Sequence, residues 1–145
     1  MNLNGCKKIE DFIPISKLAK LEILKVGKTN IAGNFLQKNV NIKTLNLNFI
    51  TKLKRLKILD LSQTYISGIS FLENAKNIKK LKLNGCRNIK DFIHISKLES
   101  LEILNVEYTF ISDISFLKKK KNIKGLNLKS CVYIKDFSPI YKLER

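Results

Sequence analysis

The sequence predicts an α/β repeat fold: a right-handed solenoid with a concave parallel β-sheet of about seven short strands and a convex side of loops and short helical turns. Three observations predict it. An apolar frame recurs along the chain, its copies start at nearly constant intervals, and two versions of the coil alternate.

The frame is clearest from Leu101. There Leu101, Leu104, Val106, Thr109 and Ile111 fill the first, fourth, sixth, ninth and eleventh positions. Ile123/Leu126/Leu128/Cys131 repeats it, as do Leu21/Leu24/Val26/Thr29, Leu56/Leu59/Leu61/Thr64 and Ile78/Leu81/Leu83/Cys86. Ile42/Leu45/Leu47 opens a further copy, and Met1/Leu3/Cys6 enters the frame at its fourth position. Strands are therefore expected near residues 1, 21, 42, 56, 78, 101 and 123 of a single domain spanning 1–145. The fourth and sixth positions alternate, so they face one side of a strand. One such coil has no means of burying its apolar side alone; stacked coils bury it against their neighbours.

From Leu21 onward the steps between copies are 21, 14, 22, 23 and 22 residues. One coil type carries Thr in the ninth position and continues as Ile111-Ser112-Asp113-Ile114-Ser115-Phe116-Leu117. The other carries Gly-Cys and continues as Ile89-Lys90-Asp91-Phe92-Ile93-His94-Ile95, with near-copies at 11–15 and 136–140. In the return arm Ile111, Ile114 and Leu117, or Ile89, Phe92, Ile95 and Leu98, complete the core. Asp113 and Asp136 sit where a carboxylate caps a short turn. The repeat from Ile42 to Arg55 has only 14 residues, too few for a regular parallel crossover. A shortened strand, a tight turn through Phe49 to Lys52 or a kinked sheet is expected there. No capping sequence is recognisable at either end, which leaves sheet edges open to self-association.

The L-x-x-L-x-L-x-x-N/C/T frame resembles that of leucine-rich-repeat proteins over essentially the whole chain. The 22-residue coil with Ile111-Ser112-Asp113-Ile114 resembles the protein-phosphatase-regulator and internalin subtype. The alternating Gly-Cys and Thr coils, in a Lys-, Asn- and Ile-rich setting, are similar to the leucine-rich-repeat gene families of insect poxviruses. In the wider family the ninth position is often Asn. The resemblance implies that the Thr and Cys found here make a less strongly hydrogen-bonded ladder.

Composition sets the functional classes. The formal net charge is +16, nearly all from lysine, since arginine occurs only at Arg55, Arg87 and Arg145. An AT-rich genome writes such a composition, but a basic chain also attracts nucleic acid or anionic membranes. No apolar run reaches the ~20 residues of a membrane helix, and Met1–Cys6 does not read as a signal peptide; a cytoplasmic chain is expected.

Residues that invite a chemical role have plainer readings. Cys6, Cys86 and Cys131 share one repeat position and show no metal-ligand spacing, so small buried side chains are expected. Cys86 and Cys131 lie two strands apart, roughly 10 Å at the ~4.8 Å strand spacing, beyond the ~7 Å reach of a disulfide. His94 fills a position held by Pro14 and Pro139. No phosphate loop, nucleophile elbow or carboxylate pair appears. The chain therefore reads as no enzyme, with no metal and no cofactor. Lys118–Lys121 is the densest charge run, and a solvated convex loop is expected there rather than a nucleic-acid or lipid patch.

Positions three, five, seven and eight are expected to point into the concave face. They supply the candidate partner-binding residues: Ile23, Ile58, Lys80 and Ile103 from the third; Lys25, Asp60, Lys82, Asn105 and Asn127 from the fifth; Glu107 and Lys129 from the seventh; Lys28, Gln63 and Tyr108 from the eighth. Tyr65 and Phe110 stand on the flanking edge. The mixture of Ile, Lys, acid and aromatic points to a protein partner, because hot spots favour aromatic anchors. An electrostatic binder of nucleic acid or anionic membrane is the alternative, though the uniformly basic groove of such a protein is missing.

Overall fold

A computed structural model describes residues 1–6, 9, 12–28 and 47–143. Five short strands form one parallel sheet in chain order: β1 (Ile23–Lys25), β2 (Ile58–Asp60), β3 (Lys80–Lys82), β4 (Ile103–Asn105) and β5 (Gly125–Asn127). The third to fifth positions of each frame make the strand, and like positions pair, as in Ile23↔Ile58, Ile58↔Lys80, Lys80↔Ile103 and Ile103↔Gly125. The ladder runs on past the strands. The sixth-position N–H groups of Val26, Leu61, Leu83 and Val106 donate to the fifth-position carbonyl of the next coil. The eighth-position N–H groups of Lys28, Gln63, Gly85 and Tyr108 donate to the seventh-position carbonyl.

That second set of bonds needs a sharp reversal after the strand. It comes from a left-handed residue at position eight, with φ between 55° and 57° at Lys28, Gln63, Tyr108 and Ser130, and 77° and 74° at Gly5 and Gly85. Glycine adopts this region without a Cβ clash; at Lys28, Gln63 and Tyr108 the cross-coil bonds hold the turn. Gly27, one position earlier, answers a different need. A Cβ there would stand 2.9 Å from the Ser62 carbonyl oxygen of the neighbouring coil.

One expected strand is reduced, and another falls outside the described residues. At the N-terminus Asn2 makes a single parallel bridge to Lys25, and the Leu3 N–H donates to the Lys25 carbonyl. The frame is present there, with less than a full strand. The copy opened by Ile42/Leu45/Leu47 does not enter the sheet between its neighbours, because β1 pairs directly with β2. Ile42, Leu45 and the strand positions 44–46 of that copy lie outside the described residues, and Leu47, at the sixth position, starts a 3-10 helix. Between Leu21 and Leu56 the sheet thus advances by one strand over 35 residues.

Among the described residues six 3-10 helices line the return side: η1 (Ile13–Lys17), η2 (Leu47–Lys52), η3 (Ser70–Asn74), η4 (Ile93–Lys97), η5 (Ser115–Lys119) and η6 (Ser138–Lys142). Asp91, Asp113 and Asp136, one residue before the N-cap, accept from the N–H groups of Ile93, Ser115 and Ser138 at 2.7–2.8 Å. The Ser138 N–H and hydroxyl hold the Asp136 carboxyl below its usual range. The core lies between sheet and helices. Leu24, Leu59, Leu81 and Leu104 point into it, fully buried, joined by Leu61, Leu83, Val106 and Leu101. At the β5 edge Leu126 and Leu128 are only half-buried.

The ninth position is a set of paired hydrogen bonds rather than a continuous ladder. The Thr64 hydroxyl donates to the Leu61 carbonyl at 2.7 Å, and the Cys86 thiol of the next coil donates to the same oxygen at 3.0 Å. Thr109 and Cys131 share the Val106 carbonyl in the same way, at 2.6 and 3.1 Å. Burial pushes the Cys86 thiol up, so it stays protonated as a donor. All three cysteines are free, and Cys86 and Cys131 are buried as expected. Cys6 is exposed, contrary to expectation, because no described coil packs on its outer side.

Candidate binding surface

The strands place their third and fifth positions on the solvent side of the sheet, opposite the buried leucines. Ile23 and Ile103 are 40% and 37% exposed, and Ile58 and Lys80 are half-buried between them. At β5 the column ends on Gly125, where a Cβ would stand 3.6 Å from the Ile103 side chain. The third-position residues expected to face a partner are thus brought into one register-aligned column.

The fifth position is only partly available. Asp60 is 6% exposed and is occupied within its own loop. Its Oδ1 accepts from the Ser62 N–H at 3.0 Å and from the Ser62 hydroxyl, while Lys82 Nζ lies 3.8 Å from its Oδ2. Asn2, Asn105 and Asn127 make the same bond to the N–H two residues on, at 3.0–3.1 Å. An Asp or Asn side chain bonding its own backbone two residues later favours a turn. Asp60, Asn105 and Asn127 therefore close the strand-to-turn corner, and Asp60 in particular is a corner residue rather than an exposed contact. The signal was in the sequence: Asp or Asn recurs three positions before the left-handed residue.

Charges on this face are unequally compensated. Lys129 Nζ lies 3.9 Å from Glu107, which also accepts from Asn127 Nδ2 at 3.2 Å. Lys25, Lys28 and Lys80 make no ion pair among the described residues. Gln63 and Tyr108 are exposed in their left-handed turns. At the second position Glu102 bridges Lys79 and Lys124, each at 2.9 Å, and the two ammonium groups pull its carboxyl down to about 2. Tyr65 and Phe110 stand exposed on the flank, as expected.

The Lys118–Lys121 run is split. Lys118, Lys119 and Lys121 are exposed, but Lys120 is 6% exposed and donates to the carbonyls of Ser96 and Leu98 at 2.9 and 2.6 Å. Desolvation pushes its amine below the usual lysine range. The frame held the clue, since Lys120 stands three residues before Ile123 just as Leu53 and Leu98 stand before Leu56 and Leu101. The ammonium is hydrogen-bonded in place by reaching back to the Ser96 and Leu98 carbonyls at the end of η4. His94, in η4, bonds Glu73 at 2.8 Å through Nδ1. Among the described residues no cluster of three His, Cys, Asp or Glu converges, and no helix is long and apolar enough to cross a membrane.

No protein-family model and no curated protein matches the chain. Solved structures do. An internalin, InlF, from Listeria monocytogenes superposes with a TM-score of 0.75 at 21% identity, over 94% of this chain and 36% of that one. Internalin C2 from the same organism gives 0.66 at 26%, over 92% and 62%. The leucine-rich-repeat ectodomain of the Arabidopsis receptor kinase HAESA, solved in complex with an IDA peptide hormone, gives 0.58 at 20%, over 81% and 19%. The fold is a leucine-rich-repeat solenoid. The chain spans about a third of the InlF chain and about three-fifths of the internalin C2 chain.

Proposed function

We propose that the chain is a non-catalytic protein-interaction module that holds a protein partner on the concave face of its sheet. The observation that carries this reading is the third-position column. Ile23, Ile58 and Ile103 lie on the solvent side of adjacent or near-adjacent strands, although the core has no need of them there. Apolar side chains exposed within a polar surround, here with Lys80 between Ile58 and Ile103, fit the anatomy of a protein interface. Tyr108 adds an aromatic anchor at its edge, and Lys25, Lys28 and Lys80 favour a partner with carboxylates on its rim. The HAESA ectodomain, of the same fold, is solved with a peptide hormone bound, which supports a peptide or protein ligand.

Affinity capture from the cells that express the protein tests the reading, with Ile103→Asp and Tyr108→Ala as controls. The partner should be retained by wild type at elevated salt and lost by both variants. Equal recovery by all three proteins sinks the sheet-face site. Recovery of nucleic acid or anionic lipid that falls steeply with salt would favour the electrostatic reading instead.

A further inference from the structure

The two coil types differ by one residue, and the structure places it. In the Thr coils the next buried anchor, Ile66 or Ile111, comes two residues after Thr64 or Thr109. In the Gly-Cys coils Ile89 and Ile134 come three residues after Cys86 and Cys131. The extra residue makes a two-residue turn at Arg87–Asn88 and at Val132–Tyr133, where the Thr coils carry only Tyr65 or Phe110. The anchors are all held in the core, so the longer turns project. Alternate coils therefore corrugate this flank, which lies between the strands and the return helices.

Phe110 stands between the two projecting turns. It is 53% exposed and packs edge-on against the Tyr133 ring, with centroids 5.5 Å apart. On its other side an open groove of about 630 Å³ is lined by Ser67, Arg87, Asn88, Ile89, Lys90 and Phe110. The Asn88 amide donates to the Tyr65 carbonyl at 3.3 Å and ties the projecting turn to the coil before it. No carboxylate lines the groove, and Arg87 and Lys90 make no ion pair among the described residues.

We infer that this flank groove is a second recognition site, which takes an acidic segment of a partner protein: a carboxylate on Arg87 and a ring or apolar side chain against Phe110. A guanidinium meets a carboxylate through two parallel N–H donors, and Arg beside an aromatic wall is the composition of interface hot spots. Lys90 adds a second positive charge for a neighbouring acid. Single-stranded nucleic acid would want a basic track with successive stacking platforms. The groove offers one ring and two cations in one place, which suits a short peptide. It lies off the third- and fifth-position columns, so it stands or falls apart from the sheet-face reading.

The probe is fluorescently labelled acetyl-Asp-Glu-Phe-Asp-Glu-amide, titrated by polarisation into the 145-residue protein. Saturable binding is expected, weakened at least about tenfold by Arg87→Glu and by Phe110→Ala, the loss typical of a hot-spot residue. Lys121→Glu, the same charge change on an exposed return loop, should leave it intact. Peptides with the acids replaced by amides, or with Phe replaced by Ala, should bind correspondingly worse. Both groove residues are exposed, and unchanged thermal transitions will confirm that the variants fold. No binding up to millimolar peptide, equal binding of the amide peptide, or an equal loss in Lys121→Glu would each overturn the inference. So would a single-stranded oligonucleotide that binds through Arg87 where the peptide does not.

Discussion

The two sides of the same strands obey opposite rules. On the inner side Leu24, Leu59, Leu81 and Leu104 are one residue type, fully buried, in every coil from β1 to β4. On the outer side the residue one place earlier reads Ile23, Ile58, Lys80 and Ile103. Neighbouring side chains on a strand point to opposite faces, so the two columns meet different physical constraints. The inner column has to interlock with the coils before and after it; the outer one meets only solvent or a partner. Stability is therefore written on the inner side, and the outer side, which the proposed function assigns to a partner, is largely free of that demand.

The largest break in this contrast comes from the inner column. Leu81→Ala should cost about 3 kcal/mol, because the stacked coils on both sides limit collapse of the cavity. Urea unfolding measures it, and a loss under about 1 kcal/mol would contradict close packing at β3. The ninth position should come next. Thr109→Val should cost about 1 kcal/mol, since the Cys131 thiol still serves the Val106 carbonyl. Replacing Cys131 by Val as well removes both donors, so the double variant should lose more than the two single losses combined. Additive losses would show that the shared carbonyl is satisfied elsewhere.

Lys120 sharpens the comparison, being a cation in an apolar column. Its folded amine is held below the ordinary 10.5, so in the folded state it gives up its proton first. Stability should then rise as the pH climbs from the folded value towards 10.5. Lys120→Leu should remove that alkaline rise, with a change at neutral pH within roughly 1–2 kcal/mol. Identical pH profiles above pH 8 in the two proteins would contradict the buried placement. On the outer side Ile103→Asp should move stability by less than about 1 kcal/mol while removing the partner.

The smallest effect belongs to Glu102. Its carboxyl is lowered from 4.5 to about 2, so its contribution is complete above pH 4.5 and fades as the pH falls towards 2. Glu102→Gln should flatten that acid limb slightly, the pair being solvent-exposed and screened by salt. Thermal scans between pH 2 and 6 would show it.

By itself the sequence determined the stacked-coil architecture. Spacing of Leu, Ile and Val set which residues face inward, and the Thr and Gly-Cys coil types were readable one by one, because both are local patterns. The outer column of Ile23, Ile58 and Ile103 was readable for the same reason, since strand alternation is strict. Tertiary structure alone decided which strands are neighbours. It set β2 directly beside β1, because a strand edge bonds only one neighbour and no residue pattern records which. It also decided where polar groups go when several partners are in reach. Asp60 turned back to Ser62, and Lys120 reached across a coil to Ser96 and Leu98, as buried charge and backbone groups seek hydrogen bonds across the stack.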